Sequence, residues 1–297
     1  MKPFNNFVVY RLTREVDLSS LPDQVSVNEF KPLGDHDMSS MGFVPSVAGE
    51  NLYYSRLGKT LLTIKKEEKI IPGAFLKKEL AKRVAKFEEM MSKKSSKAEK
   101  DSLKDEVLHS LIPKAFTKEK FNRVLIDTLS SMVIVEAKSN KSAEDALALV
   151  RKTLGSFPVI PVNCNGDLES KLTDLATGDN ALSKAIVLDE VTLKSVLEDG
   201  GEVKCKKQEV ISDEISGHIE SGKRVTSIAL MYDDRIKFTI DSDMRFSKVK
   251  FTDVLINQND DIEKEDVQSR FNADFVLFTS EMKSLIEYIL QSFGEVK

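Results

Sequence analysis

The sequence predicts an α+β protein: antiparallel strand pairs with flanking helices, interrupted by a protruding helical hairpin. Three observations point there. Apolar runs with strand character recur in pairs separated by turn residues, strand-like runs lead into helix-period segments, and 75–117 carries helical apolar spacing almost throughout. The chain has 297 residues and is 41% hydrophobic, enough for one large core or two to three modest ones. It contains no run of about 18 apolar residues. Residues 1–14 also lack the charged, apolar and small-residue regions of a signal peptide, so a soluble cytoplasmic protein without membrane contact is expected.

Taken in order, the chain opens on Phe7-Val8-Val9-Tyr10-Arg11-Leu12, an apolar-rich strand. A mixed segment leads to Phe30, and 52–71 reads as two strands turning at Gly58, with Leu61-Leu62-Thr63-Ile64 in the second. Leu76, Leu80, Val84, Phe87 and Met91 then follow at intervals of a helix burying one face. At 100° per residue, Lys78, Lys82, Lys86 and Lys93 gather on the opposite side. After the polar break at 92–97, Leu103, Val107, Leu108, Leu111 and Ile112 repeat helical spacing until Pro113, which ends it. The joint reading is an antiparallel helical hairpin with facing apolar seams.

Beyond the hairpin, Val124-Leu125-Ile126-Asp127 and Met132-Val133-Ile134-Val135 form a second strand pair. A helix follows over 142–154, with Ser142 as candidate cap and Gly155 as its stop. Pro158 and Pro161 place 158–162 at a sheet edge. The polar run 163–185 reads as a domain boundary. It divides the chain into 1–74 with 118–165, the hairpin tip 75–117, and a second α+β domain at 166–297. In the last part, 202–208 reads as a strand with Lys204, Lys206 and Gln208 on one face and Lys207 beside them. A nucleic-acid contact and a charged edge strand that discourages aggregation fit this run equally. Runs at 225–230, 235–240 and 247–251 suggest a meander, and 274–278 reads as a strand feeding a helix over 280–293.

Charge is segregated. Between 65 and 120 the chain holds 16 Lys and Arg against 10 Asp and Glu, whereas the rest holds 28 against 38. A modestly acidic protein thus carries a basic arm. Lysines one helical turn apart can meet successive phosphates, binding DNA without reading sequence. Charge periodicity alone equally fits a solvated helix face, as in a protein–protein adaptor.

Constellations for chemistry are sparse. Gly58-Lys59-Thr60 has the ending of a phosphate loop, but Tyr53 stands where that motif requires glycine, so a hairpin turn is expected. Asp260, Asp261, Glu263, Glu265 and Asp266 lack the glycine and spacing of a calcium loop, and they suit a helix start better than the metal site of a DNA-processing enzyme. His36, His109 and His218 have no ligand-like spacing, and His109, between two seam positions, reads as structural. Cys164 and Cys205 suggest neither a disulfide framework nor a zinc site. No cofactor, metal or catalytic residue is expected.

Longer runs carry a family resemblance. Glu99-Lys100-Asp101-Ser102-Leu103-Lys104-Asp105-Glu106-Val107-Leu108-His109-Ser110-Leu111, followed by Pro113-Lys114-Ala115-Phe116, resembles the RdgC family of recombination-associated proteins. So do Tyr10-Arg11-Leu12, Lys66-Glu67-Glu68-Lys69-Ile70, Leu197-Glu198-Asp199-Gly200-Gly201, Lys206-Lys207-Gln208 and Arg270-Phe271-Asn272-Ala273-Asp274-Phe275. These blocks span nearly the whole chain in order; the match loosens over 18–60 and 163–188. The resemblance implies a nucleoid-associated, non-enzymatic DNA-binding protein that antagonises RecA-promoted strand exchange. It further implies two horseshoe-shaped subunits closing into a ring, a homodimer whose basic channel surrounds double-stranded DNA, with single strands also conceivable as ligand. Carried over by motif, Phe116, Lys207 and Gln208 fall at positions linked to DNA, and the charge pattern adds Lys78, Lys82 and Lys86.

Overall fold

Among the described residues, twelve strands join into one sheet in the order β2-β4-β5-β6-β1-β12-β11-β10-β8-β9, with β3 beside β4 and β7 beside β1. The computed structural model describes residues 1–46, 51–179, 181–197, 200–263 and 266–295. In chain order the elements are β1 (Phe7–Leu12), α1 (Leu21–Val27), β2 (Ser39–Val44), β3 (Tyr53–Arg56), β4 (Lys59–Ile70), α2 (Gly73–Met91) and α3 (Lys97–Leu111). Then come β5 (Phe116–Asp127), β6 (Met132–Glu136), α4 (Asn140–Leu154), β7 (Val159–Pro161), α5 (Leu168–Thr177), β8 (Ala185–Ser195), β9 (Glu202–Lys206) and α6 (Asp213–Glu220). The chain closes with β10 (Lys223–Tyr232), β11 (Ile236–Asp241), β12 (Phe246–Phe251), α7 (Asp253–Ile256) and α8 (Val267–Phe293). Every strand pairing is antiparallel.

The central strands are buried on both faces, so they read as apolar runs more than as alternation. Period-two geometry still sorts their side chains. Leu62, Ile64, Val124 and Ile126 face one core with Val133, Val135 and the helix residues Ala143, Ala146, Leu147 and Val150. Leu61, Leu125 and Ile134 face the other, which α8 lines with Phe275, Phe278, Met282, Leu285, Ile286 and Ile289. That second core continues under β10, β11 and β12, where α5 adds Leu168, Leu172 and Leu175.

The two halves of the sheet meet at a narrow seam. β1 and β12 share one register pair, Phe7↔Phe246, and the rings stack with centroids 4.7 Å apart. β7 takes the rest of that edge of β1, from Tyr10↔Pro161 to Leu12↔Val159. α8 reinforces the seam: Tyr54 Oη donates to Asn272 at 2.6 Å and Lys59 Nζ donates to Thr279 Oγ1 at 3.1 Å. Burial at that contact lowers the Lys59 pKa, against the opposing pull of Asp127.

Most expected elements occur, with informative exceptions. The strand read at 274–278 is part of the 27-residue helix α8. Phe271, Phe275, Phe278, Met282, Leu285, Ile289 and Phe293 continue one helical stripe, and the first two pack against Tyr54 at 5.0 and 4.8 Å. Ser139, not Ser142, caps α4, accepting from the Ser142 backbone N–H at 3.3 Å. The polar run 163–185, read as a domain boundary, holds α5, whose Asp167 cap accepts from Glu169 N. β9 ends at Lys206, and Lys207 has φ of +58°. Gln208 therefore does not extend the alternating face. Gly58-Lys59-Thr60 belongs to the β3–β4 hairpin: Leu57 and Gly58 make the turn at φ of +52° and +72°, and Lys59 and Thr60 open β4. Cys164 and Cys205 are both buried and free.

Candidate nucleic-acid interface

β4 and β5 pair through twelve residues, from Lys59↔Asp127 to Ile70↔Phe116. Only the inner part of this ladder lies under the cores; residues 116–121 are all exposed. The outer part projects and carries α2 and α3 at its end. The basic arm is thus a helical hairpin on a stem of strand, whereas the sequence showed only the hairpin.

α2 and α3 pack antiparallel, as the cross-hairpin contacts require. Arg83 binds Glu106 at 3.2 Å, Lys93 binds Glu99 at 2.7 Å, and Glu88 Oε1 accepts from Ser95 N and Oγ at 2.8 and 2.6 Å. Leu103 and Val107 of α3 are buried. No residue of α2 is; among the described residues its stripe lies against α3 alone. α3 starts on a capping box between Ser96 and Glu99. Glu99 has its pKa pulled down to about 2, by the hydrogen bond from Lys93 first and those from Ser96 next. α2 ends where Ser92 turns left-handed, so Lys93 leaves the expected stripe and joins the turn. His109 is exposed, which corrects the structural role expected from its seam position.

Lys78, Lys82 and Lys86 all lie exposed on α2. Lys82 is held by Glu79 at 2.7 Å, while among the described residues Lys78 and Lys86 find no ion-pair or hydrogen-bond partner, nor do Lys77, Lys114 and Lys118 nearby. Two other stem cations are less available. Glu68 bridges Lys66 and Lys120, at 2.9 and 2.7 Å, and their hydrogen bonds, that from Lys120 first, lower its pKa to about 2.

Phe116 stands at the root of the hairpin, 86% exposed. A phenyl ring in water at a strand end is an unfavourable placement that a partner would relieve. Strand alternation puts Phe116, Lys118 and Lys120 on one face, and the cross-strand neighbour of Phe116, Ile70, is itself 43% exposed. Ile70 and Lys118 escaped sequence reasoning, although period two counted back from Ile126 through Val124 and Asn122 was a usable signal.

Lys207 and Gln208 lie elsewhere. β9 is the far edge of the sheet, separated from β5 by β6, β1, β12, β11, β10 and β8. Lys207 is exposed on its left-handed turn, and Gln208 Nε2 donates to Glu214 at 3.4 Å. Lys204 and Lys206 share an exposed face and pair with Glu202 and Glu190. The chain therefore carries two separated groups of candidate contacts, Lys78, Lys82, Lys86 and Phe116 on the arm and Lys207 with Gln208 on the opposite edge.

The acidic run behaves as a helix start. Asp266 caps α8 by accepting from Ser269 N at 3.0 Å, and this bond lowers its pKa. Asp260 pairs with Arg270; Glu265 lies outside the described residues. No group of three or more His, Cys, Asp or Glu among the described residues is placed to hold a metal ion. No described helix is long and apolar enough to cross a membrane.

A family model described as "Putative exonuclease, RdgC" matches residues 3–296. Similar proteins include "Recombination-associated protein RdgC" of Yersinia enterocolitica serotype O:8 / biotype 1B and of Yersinia pestis strain Pestoides F. Each is 42% identical over 295 residues, covering 98% of this chain and 97% of the relative.

Proposed function

Because this chain belongs to the RdgC family of recombination-associated proteins, we propose that it binds duplex DNA without reading sequence, as a homodimeric ring, and restrains RecA-promoted strand exchange. It does so at the nucleoid and without chemistry of its own. The observation that carries this reading is the projecting arm: Lys78 and Lys86 on one helix, unpaired among the described residues, with Phe116 86% exposed at its root. Cations with no acidic partner keep their full attraction for phosphate, and each phosphate neutralised releases counterion. The net charge of −4 is no obstacle, since the local field where DNA sits outweighs the sum.

A second copy is favoured by apolar surface that one subunit leaves open. Met90 and Met91 at the hairpin tip are 75% and 53% exposed, and α2 has no buried residue. A two-fold contact between tips covers these residues, and a second contact at the β9 side closes the ring around DNA. Lys207 and Gln208 then approach the duplex from the sheet edge opposite the arm.

The exonuclease in the family model's description is the competing reading, and it needs acids free to hold a divalent cation. One experiment separates the two. Sedimentation of micromolar protein with random duplex and magnesium is expected to give a dimer that carries DNA with it, both strands recovered at full length. Asp260, Asp261 and Glu263 changed together to Ala is expected to behave alike. A monomer, or strands that shorten with magnesium and stop doing so in the variant, contradicts the proposal.

A further inference from the structure

We infer that the cleft at the open edge of β5 is a separate binding site for single-stranded nucleic acid, with Phe121 as stacking platform and Lys2 and Lys138 as phosphate contacts. β5 pairs with β4 along its whole length but with β6 only from Val124 to Asp127. β6 then ends, and Ala137 turns away to donate to Asn6 O at 3.0 Å. Residues 116–121 are left with no backbone partner on that side among the described residues. The gap between this edge, the segment 1–6 and residues 136–142 is a cleft of about 820 Å³. That volume lies within the roughly 300–1,000 Å³ of ligand sites.

The chemistry of the walls selects the occupant. The acids Glu119 and Glu136 are neutralised by Lys65 and Arg123 at 2.7 and 2.6 Å. Lys2 and Lys138 are exposed and pair with no acid among the described residues, so the cleft's unpaired charge is positive. Phe121 is 55% exposed in the same cleft, and Lys65 Nζ lies 6.0 Å from its ring centroid. An exposed aromatic beside free lysines is the combination that holds single strands, bases stacking on the ring while ammonium groups track the backbone. Duplex cannot use Phe121 in this way, because its bases are already stacked on each other. An extended peptide added to the β5 edge would gain from the cleft's apolar walls at Leu61, Ala137 and Phe271, but it has no use for unpaired Lys2 and Lys138, whereas a phosphate backbone does. Alternation also puts Phe121 on the face of the stem opposite Phe116, so the two aromatics serve different ligands. Duplex on the Phe116 side leaves the cleft open to a strand separated from it.

This inference rests on the DNA-binding reading above, and its test keeps the two apart. Fluorescence anisotropy is measured in one buffer with a labelled oligo-dT, with duplex of equal length and with a labelled poly-glutamate peptide. The variants are Phe121→Ala, Phe121→Trp, and Phe121→Ala with Lys2→Ala and Lys138→Ala. The expected result is a loss of oligo-dT affinity of at least about fivefold for Phe121→Ala and more for the triple variant, with recovery in Phe121→Trp. Duplex affinity stays within about twofold. The single-strand salt slope falls by about 0.7 for each lysine contact removed. Unchanged oligo-dT binding overturns the inference, as does an equal fall for oligo-dT and duplex, or loss confined to the peptide. Wild-type protein that binds oligo-dT but no duplex would sink the duplex reading and leave this one standing.

Discussion

Phe246→Ala is expected to lower the free energy of unfolding by about 3–5 kcal/mol, the loss typical of truncating a packed aromatic. Phe246 is 1% exposed, stacks on Phe7 at 4.7 Å and touches Phe238 at 5.7 Å. It also forms the one register pair between β1 and β12. Truncation leaves a cavity where the two halves of the sheet are joined most thinly. Chemical denaturation should show a lower midpoint, with amide protection falling first in β1 and β12. A loss below about 1 kcal/mol would mean that α8, through its contacts with Tyr54 and Lys59 and the pairing of its Lys283 with Asp127 at 3.9 Å, holds the halves together unaided.

Phe116→Ala is expected to act in the opposite sense, weakening duplex binding severely while leaving stability within about 0.5 kcal/mol of wild type. The ring is 86% exposed, so its removal costs the folded chain almost no packing. Against DNA the same ring offers a stacking or wedging surface, and such contacts are worth about 1–3 kcal/mol by alanine substitution. It carries no counterion. Filter binding across a salt series should therefore show affinity reduced by about five- to a hundredfold at every salt concentration, with the slope unchanged. Wild-type affinity in this variant would remove Phe116 from the interface, and a fall in thermal stability would make it a structural residue.

The contrast between these two phenylalanines shows what sequence can and cannot convey. Helical periodicity located the arm, since Leu76, Leu80, Val84 and Phe87 are spaced for a partner stripe and Leu103 and Val107 provide it. Turn chemistry located the β3–β4, β10–β11 and β11–β12 hairpins, where Gly58, Asp233, Asp234 and Met244 adopt positive φ. The first turns of α8 were misread because Phe275, Val276 and Phe278 suit a strand equally well, and only their contact with Tyr54 and the core under it decides. α5 was missed because its four buried residues are diluted by charge, and burial there depends on β10, fifty residues later.

For the site, composition gave the sign of the arm's charge but not its availability. Lys78, Lys82 and Lys86 are equivalent on a helical wheel, yet Glu79 holds only Lys82. Lys66 and Lys120 look as basic as their neighbours and are clamped by Glu68 across the ladder, a pairing that depends on a register between residues 52 positions apart. The cleft beside β5 is likewise invisible in sequence, because it exists where one strand outlasts the next.

The most direct test of the arm as a phosphate-binding surface is the salt dependence of duplex affinity for wild type and for the variant with Lys78, Lys82 and Lys86 all changed to Ala. These side chains are exposed and solvated, so the variant should fold normally. The log–log slope is expected to flatten by about 0.9 for each lysine that meets a phosphate on B-DNA, and affinity to fall alike for all sequences. Lys82 should contribute least, since binding must first release it from Glu79. A slope identical to wild type, with affinity intact, would take the arm away from DNA and leave its lysines as the solvated face of a protein–protein adaptor.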